Sequence, residues 1–194
     1  MAIRYLDMFA GIGGFRSSLE RLGGFECIGF CEIDKYAKKS YEAMYDTKGE
    51  LYFNDARKIK PEELQDIDLI TGGFPCQSFS IAGQRKGFED TRGTLFFEIA
   101  RIAAVKKPKY LFLENVPGLL NHDSGKTFET IIHTLDELGY DVCWQVLNSK
   151  NFGVPQSRNQ VYIIGYHRGQ CAGEVLSFTQ TSAKALIQRK SHTR

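Results

Sequence analysis

The chain has 194 residues, 42% of them hydrophobic, and a formal net charge of only +2. That length suits one α/β domain whose core holds without disulfides or metal, and so weak a charge does not by itself point to nucleic acid, whose phosphates normally call for a clear surplus of Lys and Arg. Five cysteines, an odd number without paired short spacings, argue against a secreted disulfide framework and a zinc site and fit a reducing cytoplasm, and no stretch suits a signal peptide or a membrane span.

Residues 3–9 are expected to form a short apolar strand that runs into Ala10-Gly11-Ile12-Gly13-Gly14, after which residues 15–22 have helical spacing. A second strand, Phe25–Cys31, ends in Glu32 and leads to a helix over Lys35–Met44. A third, Leu51–Phe53, ends at Asn54-Asp55, and a fourth, residues 68–71, ends at Gly72-Gly73. Residues 74–92 are rich in Gly, Ser and Gln with little apolar periodicity, and a loop of that length inside a compact domain is usually functional. A helix over residues 94–105 follows, then a strand over 110–113 that delivers Glu114-Asn115. A helix over 126–138 and closing strands over 142–147 and 161–165 complete the pattern. Strands alternate with helices throughout, which predicts a doubly wound, mostly parallel Rossmann-like α/β sheet.

In such a sheet ligands bind beyond the carboxyl ends of the strands, so the residues found there are the candidates. Gly11, Gly13 and Gly14 let the backbone approach a ligand at a helix N-terminus, and Glu32 follows at a distance suited to ribose hydroxyls. That combination points to a nucleoside-containing cofactor. Arg16 stands where the full dinucleotide fingerprint has a glycine, which disfavours a nicotinamide cofactor. Pro75-Cys76-Gln77 opens the long loop just past the fourth strand. Cys27, Cys31 and Cys143 sit on apolar strands and read as small core hydrophobes, whereas Cys76, between a rigid proline and a polar loop, reads as a nucleophile. Glu114 at the end of another strand is a candidate general acid or hydrogen-bond donor if burial raises its pKa. Arg158, in Gln156-Ser157-Arg158, would bring a fixed cation toward the same edge.

Taken together these segments resemble the C5-cytosine DNA methyltransferases of the bacterial restriction-modification type. Asp7-Met8-Phe9-Ala10-Gly11-Ile12-Gly13-Gly14-Phe15-Arg16 is similar to the family's cofactor-binding motif, and Gly72-Gly73-Phe74-Pro75-Cys76-Gln77-Ser78-Phe79-Ser80 to its nucleophile motif. Lys86-Gly87-Phe88-Glu89-Asp90-Thr91-Arg92-Gly93-Thr94-Leu95-Phe96, Glu114-Asn115-Val116 and Asn151-Phe152-Gly153-Val154-Pro155-Gln156-Ser157-Arg158 resemble the motifs that follow, in order and spacing, from Tyr5 to about Gly165.

The resemblance implies S-adenosylmethionine as methyl donor and S-adenosylhomocysteine as product. Phe9 would lie against the adenine ring, Glu32 on the ribose and Asp55 on the adenine amino group, with Ala10, Gly11, Ile12, Gly13, Gly14, Ile33, Ala56, Pro75 and Leu95 completing the pocket. Cys76 would attack C6 of a cytosine flipped out of double-stranded DNA, while Glu114, Arg158 and Gln160 serve the ring's N3 and O2. Gln77, Ser78, Ser80, Arg92 and Asn115 would meet the base and the DNA. The loop after Cys76 would close over the base, with Gly83, Gly87 and Gly93 as hinges.

Two departures stand out. The family usually has a second arginine two residues after Arg158, and here the position is Gln160, which can donate a hydrogen bond but brings no charge. After Gly165 the family continues with a DNA-recognition region and two further motifs, none of which is recognised in this sequence. The expected organisation is therefore a catalytic and cofactor-binding domain over residues 1–167 and a basic tail over 168–194, with no acid after Glu174. A second polypeptide supplying the remaining parts, and self-association through exposed apolar surface, are expected of such a chain. The competing reading is a relic that binds cofactor or a partner without turnover. A bacterial or phage-encoded cytoplasmic protein is the expected setting.

Overall fold

A computed structural model describes residues 2–75 and 95–170. The chain divides into two compact units, Met1–Lys109 and Tyr110–Arg194.

The first unit contains β1 (Ile3–Met8), α1 (Gly14–Leu22), β2 (Phe25–Cys31), α2 (Lys35–Met44), β3 (Leu51–Phe53), β4 (Leu69–Gly73) and α3 (Leu95–Lys106). Its four strands run parallel in the order β3-β2-β1-β4. Their last residues lie side by side, Met8 opposite both Cys31 and Gly72, and Cys31 opposite Phe53. Whatever follows each strand therefore emerges at one edge. Local chemistry sets the helix that leaves that edge after β2: the Asp34 carboxylate caps α2 by accepting the amides of Tyr36 and Ala37, each at 2.8 Å, satisfying donors the helix itself cannot. Leu6, Met8, Ile70, Phe96, Ile99 and Ile102 are fully enclosed.

Two buried charged groups of this core, Arg16 and Asp7, are held by hydrogen bonds. The Arg16 guanidinium on α1 is buried and binds both carboxylate oxygens of Glu50 at 2.8 and 2.9 Å, Glu20 at 2.8 Å and the carbonyl of Asp46 at 2.9 Å. It also lies over the Tyr45 ring, 4.8 Å from the centroid. Beneath it, Asp7 on β1 accepts from Thr71 at 2.8 Å and from the Tyr41 hydroxyl at 3.1 Å. Complete burial pushes the Asp7 carboxyl up to about 7, against the pull of those two donors and of Arg16.

The second unit contains β5 (Tyr110–Asn115), α4 (Lys126–Glu137), β6 (Tyr140–Asn148) and β7 (Asn159–His167). The strands run in the order β5-β7-β6, with β7 antiparallel to both neighbours. Alternating strands and helices give no sign of this reversal. Its cause is the connection over residues 149–158, a 3-10 turn and a loop, too short for the helical crossover that a parallel pair needs. Helix α4 buries Phe128, Ile131, Ile132 and Leu135, and Phe128 meets Trp144 of β6 edge to face at 5.0 Å. Arg168, where the sequence suggests that a tail begins, binds the Asp136 carboxylate at 2.8 Å and Asp141 at 3.2 Å. The stretch 171–194 lies outside the described residues.

Among the described residues no helix is long and apolar enough to cross a membrane.

Candidate active site

Of the residues singled out in the first unit, those described just after β1 to β4 emerge at one edge. Phe9 leaves β1 with φ 54°, a left-handed conformation uncommon for a side chain of this size, and Ala10 then donates to the carbonyl of Cys31 at 2.9 Å. Gly11 and Gly13 have φ 57° and 87°, so the turn is one that glycine adopts without strain. The Tyr45 hydroxyl donates to the Gly13 carbonyl at 2.8 Å, and a Cβ on Gly13 would fall 2.3 Å from the Tyr45 ring. At Gly11 and Gly14 the corresponding space is open.

Glu32, half-buried at the end of β2, joins two turns. Its Oε2 accepts the Gly11 amide at 2.7 Å and its Oε1 the Asp34 amide at 2.7 Å. Asp55, after β3, accepts the Arg57 amide at 3.0 Å and is gripped by the Arg57 guanidinium at 2.8 Å. Arg57 holds the Asp55 carboxyl below the usual carboxylate range. Ala56 is buried, while the side chains of Ile12 and Ile33 are 61% and 72% exposed, apolar surface at the rim of the turn and beside Glu32. Phe74 is buried against Phe96, ring centroids 5.4 Å apart, and Pro75 after it is exposed. Leu95 opens α3 and is partly buried. These residues fit a nucleoside ligand: an open glycine turn at a helix start, two carboxylates to accept from hydroxyl or amino groups, and apolar side chains at the rim.

In the second unit Glu114 lies on β5 opposite Tyr162 of β7. Gln160, two residues before Tyr162, donates from Nε2 to Glu114 Oε1. Burial raises the Glu114 carboxyl above its ordinary range, with Arg158 and Gln160 pulling it back. Burial together with the negative charge of Glu114 likewise raises Tyr162. Asn115 is buried and its Oδ1 accepts the Val116 amide at 2.8 Å. Arg158 is exposed, but its backbone is pinned, with N donating to Ser149 Oγ at 3.1 Å and O accepting the Ser149 amide at 3.0 Å. Ser149 Oγ in turn donates to the Gln156 carbonyl. This unit thus supplies a carboxyl whose proton affinity burial raises, with a neutral amide and a cation as company.

Cys76, Gln77, Ser78, Ser80 and Arg92, and the expected hinges Gly83, Gly87 and Gly93, lie outside the described residues. None of the three described cysteines is in a disulfide; Cys31 and Cys143 are buried, and burial pushes the Cys27 and Cys31 thiols up to about 12. Neither of those two is disposed to act as a nucleophile. Sequence reasoning missed Tyr162, because its position opposite Glu114 depends on the antiparallel register of β7. It also missed Arg57 and Tyr45. Arg57 stands two residues from an acid at a strand end, a spacing that could have suggested the pair; nothing in the local sequence ties Tyr45 to Gly13.

A family model described as C-5 cytosine-specific DNA methylase matches residues 3–193. The chain is 49% identical over 164 residues to the orphan methyltransferase M.SPRI of Bacillus phage SPR, an alignment covering 84% of this chain and 37% of that protein. It is 49% identical over 168 residues to the type II methyltransferase M.HpaII of Haemophilus parainfluenzae, covering 84% and 46%. Against the type II methyltransferase M.NgoBI of Neisseria gonorrhoeae it is 50% identical over 161 residues, covering 83% and 50%. The chain thus spans between about a third and a half of the length of these relatives. Among solved structures, a DNMT2 mutant from Spodoptera frugiperda superposes with a TM-score of 0.72 at 21% identity, over 93% of this chain and 53% of that one. The S. pombe Dnmt2 methyltransferase gives 0.67 at 24% identity, over 96% and 55%. These likenesses show the fold, a Rossmann-like, mostly parallel α/β sheet.

Proposed function

The chain belongs to the C-5 cytosine-specific DNA methylase family, and from that premise we propose that the protein it belongs to transfers a methyl group from S-adenosylmethionine to C5 of a cytosine flipped out of double-stranded DNA. The observation that carries this reading is the shared edge of β1 to β4, where the glycine turn, Glu32, Asp55 and Pro75 follow strands that end in register.

Glu32 and Asp55 would hold the ribose hydroxyls and the adenine amino group, Phe9 would face the adenine ring, and Ala10 to Gly14, Ile33, Ala56, Pro75 and Leu95 would line the rest. When bound, S-adenosylmethionine supplies an electrophilic methyl group on a sulfonium.

Cytosine C5 is a weak nucleophile, and the proposed remedy is the thiolate of Cys76. Its sulfur bonds to C6, the C5–C6 π electrons shift toward N3, and Glu114 gives N3 a proton while Arg158 holds O2. C5, now enamine-like, would then be able to accept the methyl group that bound S-adenosylmethionine supplies, with S-adenosylhomocysteine as the product. Loss of the C5 proton to a base then re-forms the double bond, the C6–S bond breaks and N3 returns its proton. Glu114 suits its part because burial favours its protonated form. The reaction needs the ring out of the stack, hence flipping. A restriction-modification role is proposed by analogy with relatives that are type II methyltransferases.

The test is incubation with tritium-labelled S-adenosylmethionine and duplex DNA of mixed sequence. Label recovered as 5-methylcytosine, and lost in Cys76→Ala and Glu114→Gln, supports the reading. Label on adenine, or on cytosine N4, overturns it.

A further inference from the structure

We infer that Gln160 is the positioning residue for Glu114: its side-chain amide takes Oε1, so that the proton the carboxyl delivers sits on Oε2. The inference rests on the proposed function and concerns the orientation of its acid.

Glu114 and Gln160 stand on neighbouring antiparallel strands. Asn115 pairs with Val161 and Glu114 with Tyr162, so Gln160 lies just beyond the end of the paired stretch and reaches back to Glu114 through Nε2. On its other side Gln160 is opposite Leu147 of β6, which fixes the backbone from which the amide projects. An amide donor satisfies one carboxyl oxygen in either charge state of the acid, since the C=O of a protonated carboxyl still accepts. A guanidinium in the same place would bind the anion about twice as strongly as a neutral donor does and would shift the acid toward its ionised form. With a neutral donor on Oε1, proton occupancy is confined to Oε2, and the group remains able to carry it. Among the described residues the titratable and charged groups acting on this pair are Arg158, which favours ionisation, and Tyr162 on the facing strand.

The readout is the carboxyl itself, followed by NMR in the full chain labelled with ¹³C at glutamate Cδ, the Glu114 signal being identified by its loss in Glu114→Gln. Gln160→Arg is expected to move the Glu114 midpoint down by at least about one pH unit. Gln160→Met, similar in size but without a donor, is expected to move it up. In the methylation assay the alkaline limb of the kcat/KM profile should move with the midpoint, reaching higher pH in Gln160→Met and falling back in Gln160→Arg. A midpoint unmoved by both substitutions overturns the inference. A protein that transfers no methyl group at all removes the proposed function instead, and the NMR midpoint still decides whether Gln160 acts on Glu114.

Discussion

Glu32 reaches across from the end of β2 to the turn after β1, where its Oε2 accepts the amide of Gly11 at 2.7 Å. The second oxygen accepts the Asp34 amide, so one half-buried carboxylate sets both the glycine turn and the entry to α2. Each oxygen keeps a further lone pair for a ligand hydroxyl. Glu32→Gln preserves the shape but removes the charge and turns an NH2 group toward one of the two backbone donors. With hydrogen bonds to charged groups worth about 1.5–3 kcal/mol, the substitution should weaken S-adenosylhomocysteine binding by roughly tenfold or more. Isothermal titration calorimetry on both proteins measures it; an unchanged Kd would separate Glu32 from the ligand.

Two adjacent glycines should respond oppositely to alanine. At Gly13 a Cβ would meet the Tyr45 ring at 2.3 Å on a backbone with φ 87°, and a non-glycine residue held in such a conformation costs about 1–3 kcal/mol. At Gly14 the φ is ordinary and nothing lies within 4 Å of the added carbon. Thermal unfolding is therefore expected to show a clear drop in Tm for Gly13→Ala and almost none for Gly14→Ala. The second variant should still lose ligand affinity, because the methyl would occupy space left open at the start of α1.

Asp7 makes stability depend on pH. Its carboxyl is raised from 3.8 to about 7 in the folded chain by burial, so between those values the folded state binds more protons than the unfolded one. That contribution is fully present below the unfolded pKa and is lost as pH rises through about 7. Because each tenfold change in proton affinity is worth about 1.4 kcal/mol, unfolding free energy should fall by roughly 2–3 kcal/mol from pH 5 to 7.5 on account of this group. Urea titrations at the two pH values should show that decline in the natural protein and a much flatter response in Asp7→Asn. Equal slopes would place the pH dependence elsewhere.

Much of the first unit was legible because its signals are local. The strand Phe25–Cys31, the helix Lys35–Met44 and the strand Leu51–Phe53 have the bounds expected from apolar runs and turn residues, and each strand end delivers the residue that motif reasoning singled out. Phe9 was expected inside β1, but its left-handed backbone already belongs to the turn. What stayed hidden is long-range. The antiparallel placement of β7, and with it the facing of Tyr162 and Glu114, depends on strand pairing that alternation cannot reveal, although the short link after β6 carries a hint. The network of Asp7, Tyr41, Arg16 and Glu50 joins residues far apart in sequence, seen only once β1, α1 and α2 pack together. Arg16, in sequence merely the residue that breaks a dinucleotide fingerprint, proves to be a buried cation with two carboxylate partners.

A bond between the Cys76 sulfur and the base can be trapped with duplex DNA carrying 5-fluorocytosine. Fluorine at C5 cannot leave as a proton does, so an adduct that has taken the methyl group cannot break down. With S-adenosylmethionine present, the protein should form a denaturant-resistant complex whose digest yields the Cys76 peptide joined to a methylated fluoropyrimidine, and Cys76→Ser should form none. A complex that survives Cys76→Ser, or methyl transfer to ordinary cytosine by that variant, would show that the Cys76 sulfur is not the nucleophile.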